Sequence, residues 1–198
     1  MKTRDLYTVV EFGTSKICVL HGGRDKGGKP TVFGWGSRDA AGAVVKGEII
    51  DLPAAAKALT GALEDADNSA GGLFERDQVF FLVSGRGIAT RQGEGNVTIY
   101  DSDRRITLNH IAEAEEKASS MSLSADQCHL ASFTSYFVLD MNTRVKDPCG
   151  HCANRLDAFI HIILAERAKV ETMRGAIREF GFEQEIQPVF SGIAAAYG

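Results

Sequence analysis

The sequence predicts an α/β fold made of two parts, with one part inserted into the other. The first 84 residues follow the order β-β-β-α-β, which is a meander, a crossover helix and a parallel strand. Residues 85–165 differ, because β-like runs there surround one amphipathic helix. Residues 166–198 return to helix and strand. We therefore expect two domains, 1–84 with 166–198 and 85–165.

The composition is that of a folded, mildly acidic chain. Of 198 residues, 44% are hydrophobic and 24% charged, and the net charge is −4 without a block of Lys or Arg, which argues against nucleic acid as the main partner. No apolar run approaches the roughly 20 residues of a membrane span. Because Met1–Asp5 lacks the apolar core of a signal peptide, we expect a cytoplasmic protein whose four cysteines are reduced.

The first part begins with short antiparallel strands. We predict them at Leu6–Phe12, Ile17–His21 and Thr31–Gly36, with a tight turn at Gly13–Lys16 and a glycine-rich loop at Gly22–Pro30. Asp51 is the predicted N-cap of a helix whose apolar face consists of Leu52, Ala55, Ala56, Leu59, Leu63 and Ala66. The apolar run Gln78–Gly85 then fits a strand buried on both faces of a parallel sheet.

The remaining elements are assigned in the same way. In the inserted part we predict β-like runs at Gly87–Arg91, Asn96–Tyr100, Cys128–Leu139 and Leu156–Leu164, and a turn at Asp147–Gly150. Thr107 caps a helix whose face carries Leu108, Ile111, Ala114, Ala118 and Met121. A third helix, 166–180, buries Val170, Met173, Ile177 and Phe180 and ends at Gly181, and its mixed-charge face is predicted to be solvated. A strand Ile186–Phe190 and a helix from Ser191 follow.

The turn after the first strand is a candidate phosphate site. Its residues are Glu11, Gly13, Thr14, Ser15 and Lys16. Successive backbone N–H groups of such a turn can face one concavity, the two hydroxyls and the ammonium group can donate to anionic oxygens, and the carboxylate can hold a hydrated Mg²⁺. The alternative is a hairpin turn that happens to be polar. The spacing of a Walker loop is absent.

The order of the motifs resembles the actin-like cell-division protein family FtsA. The segments that carry the resemblance are Gly13–Lys16 between strands, Val45–Asp51 before a helix, Val83–Gly85, Arg105–Thr107, Val145–Gly150 with Arg155–Leu156, and Phe180–Phe182 with Gln187–Pro188. The resemblance implies a ribonuclease-H-like (actin-like ATPase) subdomain with an inserted small α+β subdomain of the SHS2 type. It covers almost all 198 residues in the right order.

The resemblance also implies a function. FtsA proteins bind ATP and Mg²⁺, assemble into filaments, and connect the FtsZ ring to the cytoplasmic face of the membrane and to later division proteins. The expected partners are therefore other FtsA-like subunits, FtsZ and late division proteins, with the inserted subdomain as the docking and self-association element. The membrane is reached in this family through a C-terminal amphipathic helix, which these 198 residues do not include.

Two departures from the family limit the expected chemistry. Glu11 stands where the family usually has Asp, which moves the carboxylate by one methylene group. The second actin-like lobe of the family, with its second phosphate loop and adenosine pocket, is not part of this sequence. Because orientation and desolvation of a nucleotide come from both walls of a cleft, we expect this chain alone to bind ATP weakly or not at all and not to be an enzyme. No catalytic residues are assigned.

Two other functional classes remain as alternatives. One is a protein like PilM of pilus assembly, which has the same kind of insertion. The other is one lobe of a nucleotide-dependent enzyme or chaperone from the wider actin, Hsp70 and sugar-kinase group, against which the insertion argues. The genes found beside this one, division genes or pilus genes, separate the first alternative from FtsA.

The cysteines pose a separate question. Cys149 and Cys152 have the spacing of half a zinc site, which Cys128, His129, His151 and His161 can complete if the fold brings them close. The second half of a structural zinc pattern is missing, which favours a surface loop, and no metal is assigned. A thioredoxin-like role is disfavoured, because no helix N-terminus clearly follows the pair. His110 and His161 are predicted to be structural.

Overall fold

The computed structural model describes residues 6–25, 27–75, 77–120, 122–182 and 184–197. Met1–Asp5 and Met121, which the sequence assigned to the start of the chain and to a helix face, lie outside the described residues. Contacts divide the chain into unit 1, Met1–Ile88 with Ala165–Gly198, and unit 2, Ala89–Leu164. The sequence predicts the inserted segment at 85–165.

The chain contains both helices and strands in each unit. In chain order they are β1 (Leu6–Phe12), β2 (Lys16–Arg24), β3 (Pro30–Asp39), β4 (Val44–Val45), β5 (Glu48–Ile49), α1 (Leu52–Ser69), β6 (Gln78–Val83), β7 (Ile88–Thr98), α2 (Leu108–Ser119), β8 (Gln127–Leu139), β9 (Thr143–Val145), β10 (Arg155–Glu166), α3 (Arg167–Arg178), β11 (Ile186–Phe190) and α4 (Ser191–Tyr197).

Unit 1 is built on a five-stranded mixed sheet with the order β11-β6-β1-β2-β3. The pairs β1/β2 and β2/β3 are antiparallel, whereas β1/β6 and β6/β11 are parallel. The predicted meander, crossover helix and parallel strand are therefore confirmed. In β6 burial alternates along the strand: Val79, Phe81 and Val83 are buried, whereas Phe80 and Leu82 are half-buried. The sequence predicts that both faces of this strand are buried, but only one face is fully buried.

Helix α1 lies against β3 at very short range. Asp51 Oδ1 accepts the Ala54 N–H at 3.0 Å, which confirms the predicted cap. A Cβ atom added to Gly36 would lie 2.2 Å from the Ala62 carbonyl oxygen, and one on Gly34 would lie 2.4 Å from that of Ala66, so only glycine permits this approach. Leu52, predicted to be buried, is exposed, because a side chain in the first turn points back beyond the start of the helix.

The strands of the meander are longer than predicted. Strand β2 continues through Gly22 and Gly23, which the sequence assigned to a loop. A Cβ atom on Gly22 would lie 2.7 Å from the Tyr7 ring, so this glycine makes room for a packed aromatic side chain instead of forming a turn. The hairpin β4–β5 was not predicted. Its two loop residues, Lys46 and Gly47, both have positive φ (50° and 77°), as a tight hairpin turn of the primed type requires.

Unit 2 is a four-stranded sheet, ordered β7-β10-β8-β9, with its own core. Its buried residues are Val97, Ile99, Ile106, Ala114, Ala118, Phe137, Leu139, Ala153, Leu156, Ala158, Ile160, Ile162 and Leu164. The sequence predicts two short runs where the structure has the single strand β7. The apparent break, Gly93 and Gly95, instead admits α2, since a Cβ atom on either would lie 2.2 Å from the Ala118 backbone. Strand β9 was also missed.

Helix α3 buries Val170, Met173 and Ile177 as predicted, whereas Phe180, also predicted to be buried, is half-buried and lies beyond the end of the helix. Gly181 follows with φ +71°. Its polar face is not fully solvated, which corrects the prediction. Lys169 Nζ lies 3.3 Å from Glu48 Oε2 and 3.2 Å from Glu166 Oε2. Desolvation acts to lower the pKa of Lys169, but its hydrogen bonds to both carboxylates outweigh that effect and raise it. Arg174 donates from Nε to the Ile186 carbonyl at 3.0 Å, which ties the helix to β11.

Candidate phosphate-binding turn

The predicted phosphate turn connects β1 to β2 and has a defined backbone geometry. The Gly13 N–H donates to the Lys16 carbonyl at 3.0 Å, and the Ser15 carbonyl accepts the Ala40 N–H at 3.0 Å. A Cβ atom on Gly13 would lie 2.8 Å from the Lys16 carbonyl oxygen, so this position requires glycine. Thr14, Ser15 and Lys16 are exposed. The Gly13 N–H is engaged in closing the turn, so the donors that remain for a ligand are the N–H and hydroxyl groups of the exposed residues Thr14 and Ser15.

The loop of the β4–β5 hairpin joins this turn to the end of β6. The Lys46 N–H donates to Thr14 Oγ1 at 3.0 Å, and the Lys46 carbonyl accepts the Arg86 N–H at 3.1 Å. The contact is very close, since a Cβ atom on Gly85 would lie 1.9 Å from the Lys46 carbonyl oxygen. We call Thr14, Lys46, Gly47, Gly85 and Arg86 the clamp. These residues hold three separate chain segments together.

Sequence reasoning found Thr14 but missed the other residues of the clamp. Val45–Asp51 and Val83–Gly85 were noted as segments shared with a family, without a physical role. The available signal is a pair of glycines: Gly47 follows Val44-Val45-Lys46, and Gly85 lies just past the apolar run that ends at Val83. A local pattern does not show that the two segments meet.

The turn lies at the edge of the sheet where ligands bind in open α/β folds. Strands β1, β6 and β11 are parallel, so their carboxyl ends share this edge. The turn follows β1 and Arg86 follows β6. Three exposed basic residues therefore occupy the segments that the clamp joins: Lys16, Lys46 and Arg86. This sign of charge suits a phosphate group.

Glu11 and Lys16 flank Cys18, which Glu11 faces across the β1/β2 pair. Partial burial raises the pKa of the Cys18 thiol, while the Lys16 charge acts to lower it and the Glu11 charge acts to raise it. Both charges therefore lie close to the Cys18 thiol. Glu11 itself is exposed, so its carboxylate is open to water.

The turn has the kinds of group that a magnesium nucleotide needs, a hydroxyl donor for phosphate and a carboxylate for Mg²⁺. Thr14 Oγ1 accepts a hydrogen bond from Lys46, so its own hydrogen is left to donate to a phosphate oxygen. Among the described residues there is no group of three or more His, Cys, Asp or Glu side chains that could hold a metal ion. One carboxylate with water and phosphate oxygens is a common way for Mg²⁺ to be held, and Glu11 is the residue that would supply it.

The candidate zinc ligands are not brought together. Cys149 and Cys152 are exposed, whereas Cys18 and Cys128 are half-buried. His129 Nε2 lies 2.7 Å from Ser132 Oγ, and within the described ranges these groups do not gather into a set of three or more metal ligands. His110 has the predicted structural role, since its Nδ1 accepts the Thr107 N–H at the start of α2. His161 is exposed on β10.

The inserted part of the chain matches a known domain family. Residues 85–164 match the family described as the SHS2 domain inserted in FtsA. The similarity extends well beyond that domain: the cell division protein FtsA of Neisseria meningitidis serogroup B is 27% identical over 94% of this chain. The chain is FtsA-like. FtsA of Escherichia coli K12 is 25% identical over 98% of it.

The FtsA-like chain spans about half the length of the curated relatives it matches, 45% of each of these two proteins. Among solved structures, the PilM–PilN type IV pilus biogenesis complex superposes with a TM-score of 0.51 at 14% identity, covering 92% of this chain and 47% of that chain. This likeness shows the fold, that of the actin-like ATPases. In the described part of the chain, none of the helices has the length and apolar character needed to cross a membrane.

Proposed function

We propose that this FtsA-like chain belongs to a protein that links the FtsZ ring to the cytoplasmic face of the membrane and to later division proteins. The observation that carries the proposal is the similarity to FtsA over 94–98% of the chain. The match of residues 85–164 to the SHS2 domain that is inserted in FtsA supports it further. In this proposal unit 2 is the self-association and partner-docking element.

Depletion of the gene product in the cells that carry it tests this role. We expect long, undivided cells in which FtsZ rings still form but septa do not. The full gene supplied in trans should restore division. The same gene with the codons for 88–165 replaced by a short glycine linker should not, because the docking element is removed. Cells that divide normally after depletion but lose their pili would instead support a role like that of PilM, which so far rests on a fold likeness alone.

We also propose that the clamp and its turn form one wall of a nucleotide site. The exposed donors of Thr14 and Ser15 and the charges of Lys16, Lys46 and Arg86 support a phosphate group as the ligand. A single wall supplies only part of the orientation and desolvation that a nucleotide needs. The 198-residue chain should therefore bind ATP weakly and should not hydrolyse it.

Thermal denaturation of the purified chain with and without Mg-ATP checks this prediction. We expect no measurable rise in Tm and no phosphate release above the rate without protein. A rise of several degrees would contradict the single-wall proposal, because it requires a site that is complete within this chain. Magnesium alone is the control for binding of the metal, and Mg-ADP shows whether any effect needs the terminal phosphate.

A further inference from the structure

The connection between β9 and β10 carries two exposed cysteines, three positions apart, that no role above has used. Cys149 and Cys152 are both free and exposed, and they flank Gly150 and His151. The other two cysteines, Cys18 and Cys128, are half-buried. Exposure and mutual proximity are the first requirements for thiol chemistry in a folded protein.

The backbone between these cysteines is held in place. The His151 N–H donates to the Pro148 carbonyl at 3.1 Å, and Gly150 has φ +83°, so the chain reverses within the pair. Gly150 and His151 are also tied to a second segment, since the Gly150 N–H donates to the Ile106 carbonyl at 2.9 Å and the Ile106 N–H donates to the His151 carbonyl at 2.9 Å. Ile106 is a core residue of unit 2, which anchors this turn.

A positive charge lies beside the turn. The Cβ position of Gly150 is 3.7 Å from Nη2 of Arg105, and Arg105 forms a β-bridge with Cys152. The Arg105 guanidinium therefore lies beside the backbone of the turn that carries both thiols. Cys18, by contrast, is half-buried, and its burial raises the pKa of its thiol. A metal site is not favoured, because the described residues bring no third His, Cys, Asp or Glu ligand to the two thiols.

We propose that Cys149 and Cys152 form a reversible intramolecular disulfide by exchange with a low-molecular-weight disulfide such as glutathione disulfide. One thiolate attacks a sulfur of glutathione disulfide, which breaks that S–S bond, releases one glutathione thiolate and leaves a mixed disulfide. The second cysteine thiolate then attacks the protein sulfur of the mixed disulfide and releases the second glutathione. Two cysteines lose two electrons and two protons in total, and one glutathione disulfide becomes two glutathiones.

The fixed turn should raise the effective concentration of one thiol at the other. An unfolded C-x₂-C segment also closes to a disulfide, so the structure contributes only the increase in effective concentration that the turn provides. In exposed positions such bonds are the labile, regulatory kind and not structural staples. Closure would fix the turn of the β9–β10 connection, whose Gly150 and His151 already hydrogen-bond to Ile106.

Peptide mapping of the full chain in glutathione redox buffers tests the proposal. Trypsin releases Asp147–Arg155, which contains both cysteines and no others. After oxidation and alkylation of the remaining thiols, we expect this peptide to have lost two hydrogen atoms and to carry no alkyl group, while the peptides of Cys18 and Cys128 remain alkylated. The glutathione ratio at half-oxidation should correspond to an effective concentration about tenfold higher in the native chain than in denaturant.

Matched variants sharpen the result. Cys152→Ser should leave Cys149 as a stable mixed disulfide with glutathione, and the double change Cys18→Ser with Cys128→Ser should not alter the oxidation of the pair. An effective concentration that is equal or lower in the native chain, or mixed disulfides on both cysteines of the unaltered protein, would overturn the proposal. Protection of both thiols from alkylation by zinc alone would likewise overturn it, in favour of a metal site.

Discussion

At the scale of single residues, a buried polar chain in unit 1 stands out. Thr8 and His21 are fully buried, with Thr8 Oγ1 2.9 Å from His21 Nδ1 and His21 Nε2 3.1 Å from Asp67 Oδ1. The His21 ring also stacks on Phe74 at 4.5 Å between centroids. The order hydroxyl, imidazole, carboxylate is that of a hydrolase triad, but the hydroxyl has no access to a substrate. These three side chains therefore have a structural role: they connect β1, β2 and the end of α1.

Replacing His21 should therefore lower the stability of the chain. His21→Leu leaves the Thr8 hydroxyl and one Asp67 contact without their buried partner, and we expect a loss of about 2 kcal/mol in the free energy of unfolding. His161→Leu, at an exposed position of β10, is the control and should change it by less than about 0.5 kcal/mol. Urea denaturation followed by circular dichroism measures both, and equal effects would contradict the structural role of His21.

Thr14 offers a second test at this scale, one that separates the hydroxyl from the side-chain shape. Thr14→Val removes the acceptor of the Lys46 N–H and should cost roughly 0.5–1 kcal/mol of stability, because that hydrogen bond is exposed. Thr14→Ser retains the oxygen and should stay near the unaltered protein. Denaturation curves compare the two variants, and hydrogen exchange at the Lys46 amide should accelerate only in Thr14→Val. Unchanged exchange would show that the clamp is not formed in solution.

At the scale of elements, both units use a Gly-x-Gly strand to bring a helix close to a sheet. In unit 1 the strand is β3 with Gly34 and Gly36, and in unit 2 it is β7 with Gly93 and Gly95. In each case the glycine Cα faces the backbone of a helix in an alanine-rich stretch. The sequence alone suggested loops or strand breaks at the second pair, since glycine is uncommon within strands.

Alanine at these glycines should be disruptive although it is small. Gly36→Ala and Gly95→Ala each place a methyl group against a helix carbonyl or amide that cannot move without shifting the helix, and we expect losses of about 2–3 kcal/mol. Gly175→Ala in α3 is the control. Its added Cβ atom meets nothing within 4 Å, so it should stabilise the chain by roughly 0.5–1 kcal/mol through helix propensity. Thermal denaturation distinguishes the two signs.

At the scale of the molecule, the two residues of unit 1 that flank the inserted segment are neighbours. The Glu166 N–H donates to the Gly87 carbonyl at 3.1 Å, so the point where the polypeptide exits unit 1 lies beside the point where it returns. A chain inserted between such neighbouring ends can be removed without stretching its host. Unit 2 likewise has its own buried core and its own sheet.

We therefore expect both units to fold separately. Unit 1, with 88–165 replaced by a short glycine linker, and the segment 85–166 alone should each unfold in a single cooperative transition. Calorimetry and circular dichroism provide the measurement. A segment 85–166 without near-ultraviolet signal or a thermal transition would contradict this expectation, whereas the host should keep its own transition if its core is independent.

The elements themselves were readable from the chain because their causes are local. The caps at Asp51 and Thr107, the apolar spacing of α1 and α3, and the strand Ile186–Phe190 depend on residues within a few positions of one another. The motif order along the chain then indicated the FtsA family, and the comparisons support that resemblance. The phosphate role of Glu11, Gly13, Thr14, Ser15 and Lys16 remains a prediction.

Packing across distant segments decided the rest. That Gly93 and Gly95 lie inside one strand depends on α2, and Lys169 is paired with Glu48, more than a hundred residues earlier in the chain. The clamp is the clearest case, since Thr14, Lys46 and Arg86 belong to three segments that carry no shared pattern. Hydrogen bonds between such segments form only after the sheet has brought their ends to one edge, so the tertiary structure alone assigns them.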